Sequence, residues 1–309
     1  MVERFGQTTS MQRLRLCLEW FLNPDHVPFL IGQQRGWFRD AGIELELVEP
    51  QAHVDAADAL ARGDIDVAIT EPIHLVQDRA AGRAVVGFAR FLHTNGGVMY
   101  LRGRGIERPR DMANARVQYP GAPGPGGPAI VATMVAADGG AFAPERLRPV
   151  NNGFFHTDAL AEGKADVATL VFRNFELVEA AHRGLDAAFF ALKDWGVPDF
   201  CQLILMTQPE RLVRERDLFA RFIAVLRRGI DLVKQQPDEA AAIYAQRVPA
   251  AAGDTLGPKL LAATLPCFCY DLTMANEAYD LLADWLVQSR QAAQRPDVRG
   301  IFDNTLTLR

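Results

Sequence analysis

"LARGDIDVAITEPIH" (residues 60–74) and "LAEGKADVATLVFRN" (160–174) carry one pattern twice, Leu-Ala-x-Gly-x-x-Asp-Val-Ala, 100 positions apart. Leu-Ala before a glycine reads as a helix end with its C-terminal stop. The apolar run after the aspartate reads as a core strand. The elements around each copy follow the same order. Before the first copy come "LRLCLEW" (14–20) as a strand, "HVPFLIGQQRGWFRDAG" as a helix stopped by Gly42, and "IELELVEP" (43–50) as an alternating strand. A short helix over 54–62 leads into the copy's own strand, "DVAIT". Around the second copy the order is "ARVQYPG", a helix after 127, "LRPV", a helix around 157–162, and "DVATL".

Strands and helices alternating with short links make a parallel sheet covered by helices. Two such sets predict an α/β protein of two lobes. The apolar "FCQLILMT" (200–207) carries the chain back, and residues 209–295 read as helical apart from Pro249 to Gly257. The first lobe is then 12–97 plus 203–309, and the second is 98–202. Ligands of open parallel sheets sit beyond the carboxyl ends of the strands. The unrepeated residues, "TEPIH" after one copy and "LVFRNFE" after the other, are therefore expected to face a cleft.

Composition narrows the function. Of 309 residues 49% are apolar and 23% charged, an ordinary globular balance. A net charge of −5 argues against nucleic acid as a partner, which needs clustered cations. Cys17, Cys201, Cys267 and Cys269 form no metal-ligand ladder, since Cys267-Phe-Cys269 falls short of the C-x2-C spacing. No run reaches the ~20 apolar residues of a membrane helix, so no membrane insertion is expected. The opening "MVERFGQTTS" lacks the apolar region of a signal peptide. The chain as written reads as cytoplasmic, and as periplasmic if a leader has been removed.

"LEWFLNPDHVPFLIGQQRGWFRDAGIELELVEP", "GDIDVAITEPIH" and "GVPDFCQLILMT" resemble the thiamine-pyrimidine precursor family. The resemblance runs from about residue 13 to 235, and the Trp-x-x-x-x-x-His block from Trp20 to His26 is its most specific part. It implies the type II periplasmic-binding-protein fold. The family holds bacterial aminopyrimidine-binding proteins and the fungal-type hydroxymethylpyrimidine phosphate synthase. In the synthase a lysine before the cleft histidine forms a Schiff base with pyridoxal phosphate. Matching "DVAITEPIH" to that segment puts His74 on the histidine and Thr70 on the lysine, and threonine forms no imine. The synthase's iron-associated cysteine run is reduced to Cys201 in "VPDFCQL". Its phosphate-cradling glycine segment becomes "PGAPGPGGPA" (120–129), where Gly124, Gly126 and Gly127 still offer N–H groups.

The candidate ligand contacts follow. Trp20, at the end of the first strand, supplies a stacking platform for a planar ring. His26 sits at a helix start, where Asp25 is also a plausible cap. Glu71 and His74 follow a core strand and open a helix. Asn174 and Glu176 match the Asn-x-Glu element of the pyrimidine binders, in which a carboxylate pairs with the aminopyrimidine edge. Arg173 is placed to pair with Glu176 or an anion. Gly124 and Gly126 represent the loop, Trp195 is a second aromatic wall, and Cys201 completes the set.

The expected function is closure around a small planar heterocycle, specifically a thiamine-pyrimidine precursor, with an ABC-type permease as partner and no cofactor. One alternative is a synthase-like enzyme that uses His74, with pyridoxal phosphate attached by other means. Lys164 and Lys193 are the nearest second-lobe lysines, and neither occupies the family position. The other alternative is a cytoplasmic ligand sensor.

Overall fold

In the computed structural model, which describes residues 11–50, 55–248 and 255–308, the two copies of the opening pattern do the same work. The first lobe begins with β1 (Gln12–Cys17), a 3-10 turn (Pro24–His26), α1 (Val27–Gln34) and α2 (Trp37–Asp40). It continues with β2 (Ile43–Val48), α3 (Ala56–Arg62), β3 (Val67–Thr70), α4 (Pro72–Ala80) and β4 (Val86–His93). Residue 54 of the expected third helix and the opening decapeptide lie outside the described residues. The single helix expected over 26–42 is two, because Gly36 adopts φ 71° between them.

The second lobe holds β5 (Gly96–Leu101), β6 (Arg116–Gln118), α5 (Gly126–Ala137), β7 (Arg148–Val150) and α6 (His156–Ala161). It ends with β8 (Val167–Phe172), α7 (Glu176–His182) and β9 (Ala187–Ala191). The reading of the sequence passed over β9, whose "AAFFA" lacks alternation and is only partly buried. β10 (Gln202–Thr207) returns to the first lobe, followed by α8 (Pro209–Arg214), α9 (Arg216–Gln235) and α10 (Pro237–Arg247). α11 (Leu256–Thr264) and α12 (Asn276–Gln288) complete the chain's helices among the described residues. Of the expected interruption from Pro249 to Gly257, residues 249–254 lie outside the described residues.

The sheets are open and matched, β2-β1-β3-β10-β4 and β7-β6-β8-β5-β9. In each, three parallel strands are followed by one antiparallel strand, β10 or β5, that carries the chain across the hinge. The first lobe's core joins Leu14, Leu16, Val67 and Ile69 to Phe29, Phe91, Phe219 and Phe222. Gly229 of α9 lets α1 approach closely, since a Cβ there would lie 2.4 Å from the Pro28 carbonyl oxygen. The C-terminal helices do not belong to the first lobe alone. Tyr279, Leu282, Trp285 and Leu286 of α12 share one core with Leu75 and Val76 of α4 and with Ile130 and Met134 of α5. Trp285 Nε1 also donates to Thr133 Oγ1 at 3.2 Å, so α12 braces both lobes.

The repeated glycines, Gly63 and Gly163, close their helices at φ 72° and 68°, where a Cβ is unfavourable. The repeated aspartates clamp the neighbouring strand. Asp66 accepts from the Arg15 backbone N–H at 2.7 Å and from its guanidinium at 2.7 and 3.0 Å, while its own N–H donates to the Arg15 carbonyl at 2.9 Å. Asp166 repeats this on Arg116, with backbone and guanidinium contacts of 2.7 and 2.6 Å and a return bond of 2.9 Å. Arg211 adds a second cation to Asp66. Burial opposes ionisation of Asp66, but these arginines outweigh it and hold the carboxyl below its ordinary range. Hydrogen bonding from Arg116 does the same for Asp166.

The Asp66 side chain is 4% exposed and that of Asp166 33%. Asp66→Ala strands two guanidinium groups and is expected to cost about 3 kcal/mol. Asp166→Ala, at a wetter site, is expected to cost about 1 kcal/mol. Urea unfolding near neutral pH measures both. Because the folded-state values are depressed, both contributions are present above the ordinary carboxylate range and lost as pH falls through the depressed values. Equal losses for the two variants would contradict this account.

Candidate functional site

The carboxyl ends of β1, β3 and β8 meet at a cavity of about 150 Å³ between the lobes. An apolar cavity of roughly that size holds one benzene-like ring. From the first lobe it is lined by Cys17, Glu19, Trp20, Thr70, Glu71 and His74. From the second come Phe154, His156, Leu170, Phe172 and Glu176.

Trp20 lies three residues beyond the end of β1 rather than within it. Its ring is held by Phe21 and Phe175, with centroids 4.3 and 4.7 Å away, and faces Phe154 at 5.9 Å across the lobes. The indole Nε1 is buried and has no hydrogen-bond partner, although a buried indole N–H ordinarily finds one. His156, at the start of α6, also has a buried Nδ1 without a partner. Burial lowers the pKa of its imidazole to about 4, which makes it a neutral group. Leu170 is the extra residue of a β-bulge, since Gly97 pairs with Val171 and Val98 with Thr169. Its φ of 62° is uncommon for a leucine and costs on the order of 1 kcal/mol, a strain stored at the cavity wall.

Three carboxyls border the cavity. Glu71 precedes the first turn of α4, makes no side-chain capping bond and is buried; desolvation, reinforced by the charge of Glu19, raises its pKa to about 8. Glu176 opens α7 and accepts from the Phe172 backbone N–H at 2.8 Å. Its burial outweighs that hydrogen bond and also raises its pKa to about 8. Both are neutral acids at pH 7, each with a hydroxyl to donate and a carbonyl to accept. Glu19 receives His26 Nε2 at 3.0 Å, while His26 Nδ1 accepts from the Asn23 N–H at 3.2 Å. The Nδ1 contact places the shared proton on Nε2; burial lowers the imidazole's pKa, but the carboxylates of Glu19 and Asp25 outweigh burial and raise that pKa above its ordinary value. Thr70 Oγ1 lies 3.3 Å from His74 Nδ1, joining the two residues at the unrepeated end of the opening motif.

Of the residues singled out in the sequence, Trp20, Glu71, His74 and Glu176 border this cavity. The others do not. His26 is fully buried behind Glu19 and acts on the cavity through it. Asn174 is spent on an inter-lobe hydrogen-bond junction: it accepts from the Thr94 hydroxyl at 2.7 Å and donates to Asp25 at 3.2 Å and to Thr264 at 2.9 Å. Trp195 packs edge-on against Phe190, and the facing aromatic wall is Phe154 instead. Cys201 is buried against Gly96, where a Cβ would collide with its sulfur. Of the glycine/proline loop only Pro120 touches the cavity; Gly124 lies beyond it, its N–H spent on the Gly121 carbonyl, and Gly126 opens α5 outside the lining. Arg173 is exposed on a separate hollow with His93, Lys193 and Asp199, and Glu176 takes the Phe172 N–H rather than this arginine.

Glu19, Phe154 and His156 are not among the residues expected from the sequence, whereas Leu170 falls in the stretch "LVFRNFE" expected to face the cleft. Glu19 had a usable signal, its place beside Trp20 beyond the first strand. Phe154 and His156 sit in "NNGFFHTD", which nothing in the residue pattern separates from an ordinary loop.

Pyridoxal phosphate does not fit this lining. Among the described residues the cavity has no lysine for an imine and no arginine or lysine for a phosphate, and it presents three carboxyls. Lys193 borders the separate hollow, and Lys164 is on the surface beside Glu162 and Asn152. Among the described residues no group of His, Cys, Asp and Glu could hold a metal ion.

The raised acids have a measurable consequence. A carboxyl that titrates near 8 when folded and near 4.5 when unfolded binds its proton more tightly in the folded state. The stability it contributes is full below about 4.5 and is lost as pH rises toward 8. The ligand-free protein should therefore melt at a lower temperature at pH 8.5 than at pH 6. Glu71→Gln and Glu176→Gln should each flatten that decline in a thermal-shift series. An unchanged slope in both variants would place the titration elsewhere.

The comparisons agree with this architecture. The chain is 26% identical over 232 residues to the formylaminopyrimidine-binding protein of Halalkalibacterium halodurans, covering 75% of this chain and 69% of that protein. It is 26% identical over 303 residues to the 4-amino-5-hydroxymethyl-2-methylpyrimidine phosphate synthase of Legionella pneumophila, covering 97% and 93%. Among solved structures, the alkanesulfonate-binding protein SsuA of Xanthomonas axonopodis pv. citri bound to MOPS superposes with a TM-score of 0.74 at 15% identity, covering 96% of this chain and 99% of that one. The aliphatic sulphonate-binding protein SsuA of Escherichia coli gives 0.70 at 15% identity, covering 94% and 92%. The fold is thus the two-lobed type II periplasmic-binding-protein fold. Its family model, described as NMT1/THI5 like, matches residues 23–240, and the chain belongs to that family.

Proposed function

We propose that this protein binds one small planar heterocycle of the aminopyrimidine class in the cleft between its lobes, releases it unchanged, and delivers it to an ABC-type permease. The observation that carries this reading is the cavity itself: ring-sized, walled by Trp20 and Phe154, with unpartnered polar atoms on Trp20 and His156 and neutral acids at Glu71 and Glu176. A neutral carboxylic acid matches an aminopyrimidine edge. Its hydroxyl donates to the ring nitrogen, and its carbonyl accepts from the amino group. Glu176, on the second lobe, is our choice for that contact. Trp20, on the first, supplies the stacking face, so a bound ring holds the lobes together.

The same rationale argues against synthase chemistry through an imine, because Thr70 stands at the family's lysine position and, among the described residues, no lysine borders the cavity. The family includes both binders and synthases by their names, and the cavity lining favours the binder.

Titration calorimetry with the hydroxymethyl aminopyrimidine tests the proposal on the intact protein. Saturable one-to-one binding is expected. Trp20→Ala and Glu176→Ala are each expected to weaken it roughly 10- to 100-fold, as for buried anchor contacts worth about 1.4–2.8 kcal/mol. Incubation with pyridoxal phosphate should give no borohydride-trappable imine in the cleft. A trapped adduct there, or no binding of the pyrimidine, would overturn the reading.

A further inference from the structure

We propose, building on the binding function above, that this cleft selects a cationic ligand: a flat heterocycle bearing a primary ammonium on a short arm and no phosphate. Among the described residues the lining has three carboxyl side chains, Glu19, Glu71 and Glu176, and neither lysine nor arginine. Glu176 stands on the second lobe and is taken up by the ring edge. Glu19 and Glu71 stand together on the first lobe, at the ends of β1 and β3. A neutral hydroxymethyl arm offers this pair a single hydroxyl donor, whereas an ammonium offers three N–H donors and a positive charge.

The side-chain partner of Glu19 is His26, which accepts from the Asn23 N–H at Nδ1 and gives Glu19 its Nε2 contact at 3.0 Å; no lysine or arginine among the described residues lines the cavity beside it. The field of Glu19 reaches Asp25, Glu71 and Cys17, disfavouring ionisation of all three. The other titratable groups bordering the cavity are His74 from α4 and His156 from α6, the latter neutral. A phosphate or sulfonate brought in here would meet a negative potential with no cation lining the cavity. The exposed cations Arg173 and Lys193 border a different hollow with His93 and Asp199.

An ammonium reverses this balance. It pairs with Glu19 and lowers the cost of ionising Glu71, whose proton then leaves to buffer while the ligand keeps its own. No bond to carbon is made or broken.

The test compares three probes on the unmodified protein by calorimetry: the aminopyrimidine ring with an aminomethyl arm, with a hydroxymethyl arm, and with a hydroxymethyl phosphate arm. The aminomethyl compound is expected to bind at least ten-fold more tightly than the hydroxymethyl one, and the phosphate at least ten-fold more weakly. Two buffers of different ionisation enthalpy should show proton release at pH 6.5 with the aminomethyl probe alone. Glu19→Gln should erase the preference for the aminomethyl over the hydroxymethyl compound, and a preference that survives in this variant overturns the role given to Glu19. Equal or tighter binding of the hydroxymethyl or phosphate compound overturns the cationic preference while the pyrimidine-binding function stands. Failure of all three to bind at millimolar concentration removes both.

Discussion

Everything that faces the cleft hangs from one repeated interaction, an aspartate at the foot of a strand that grips the arginine of its neighbour. Asp66 holds Arg15 and Asp166 holds Arg116, each through side chain and backbone together. The grip sets the register between β1 and β3 and between β6 and β8. Strand register decides which residues stand at the carboxyl ends, since a slip of one residue turns every side chain to the opposite face. Trp20 and Glu19 follow β1, Thr70 and Glu71 end β3, and Leu170 and Phe172 belong to β8. The clamp at the far end of the sheet is thus a condition for the geometry of the cavity.

That division explains what the sequence disclosed. The scaffold was legible because its rules are local: glycine closing a helix, alternation marking a strand, the same order written twice. Trp20, Glu71, His74 and Glu176 were legible because each directly follows or ends a core strand or opens a helix at the cleft. Asn174 shared that position but is drawn into contacts with Asp25, Thr94 and Thr264, which lie 149, 80 and 90 residues away. No local pattern records a junction of that kind. Trp195 and Cys201 were assigned by residue type and resemblance, and packing against Phe190 and Gly96 decides their places instead. Glu19 has no local mark beyond its place beside Trp20, because its partner His26 lies in the 3-10 turn that follows β1.

The cavity is held in an unsatisfied condition. Folding has buried an indole N–H and an imidazole nitrogen without partners, neutralised two glutamic acids, and placed a leucine in a left-handed backbone conformation. Each of these costs stability, and each lies at the same cavity. Proteins tolerate such groups where a ligand will complete them. The surrounding apolar cores, which run through α12 from one lobe to the other, offset the cost.

The crossing strands also bear on the order in which the molecule can be assembled at the ribosome. All five strands of the second sheet lie between residues 96 and 191, an unbroken stretch. The first sheet begins at residue 12, but its β4 joins β3 only through β10, which ends at residue 207. The lobe that is synthesised first is therefore the one that is completed last. Until β10 emerges, the edges of β3 and β4 have no partner between them, and the apolar strands of the older half wait as an open template.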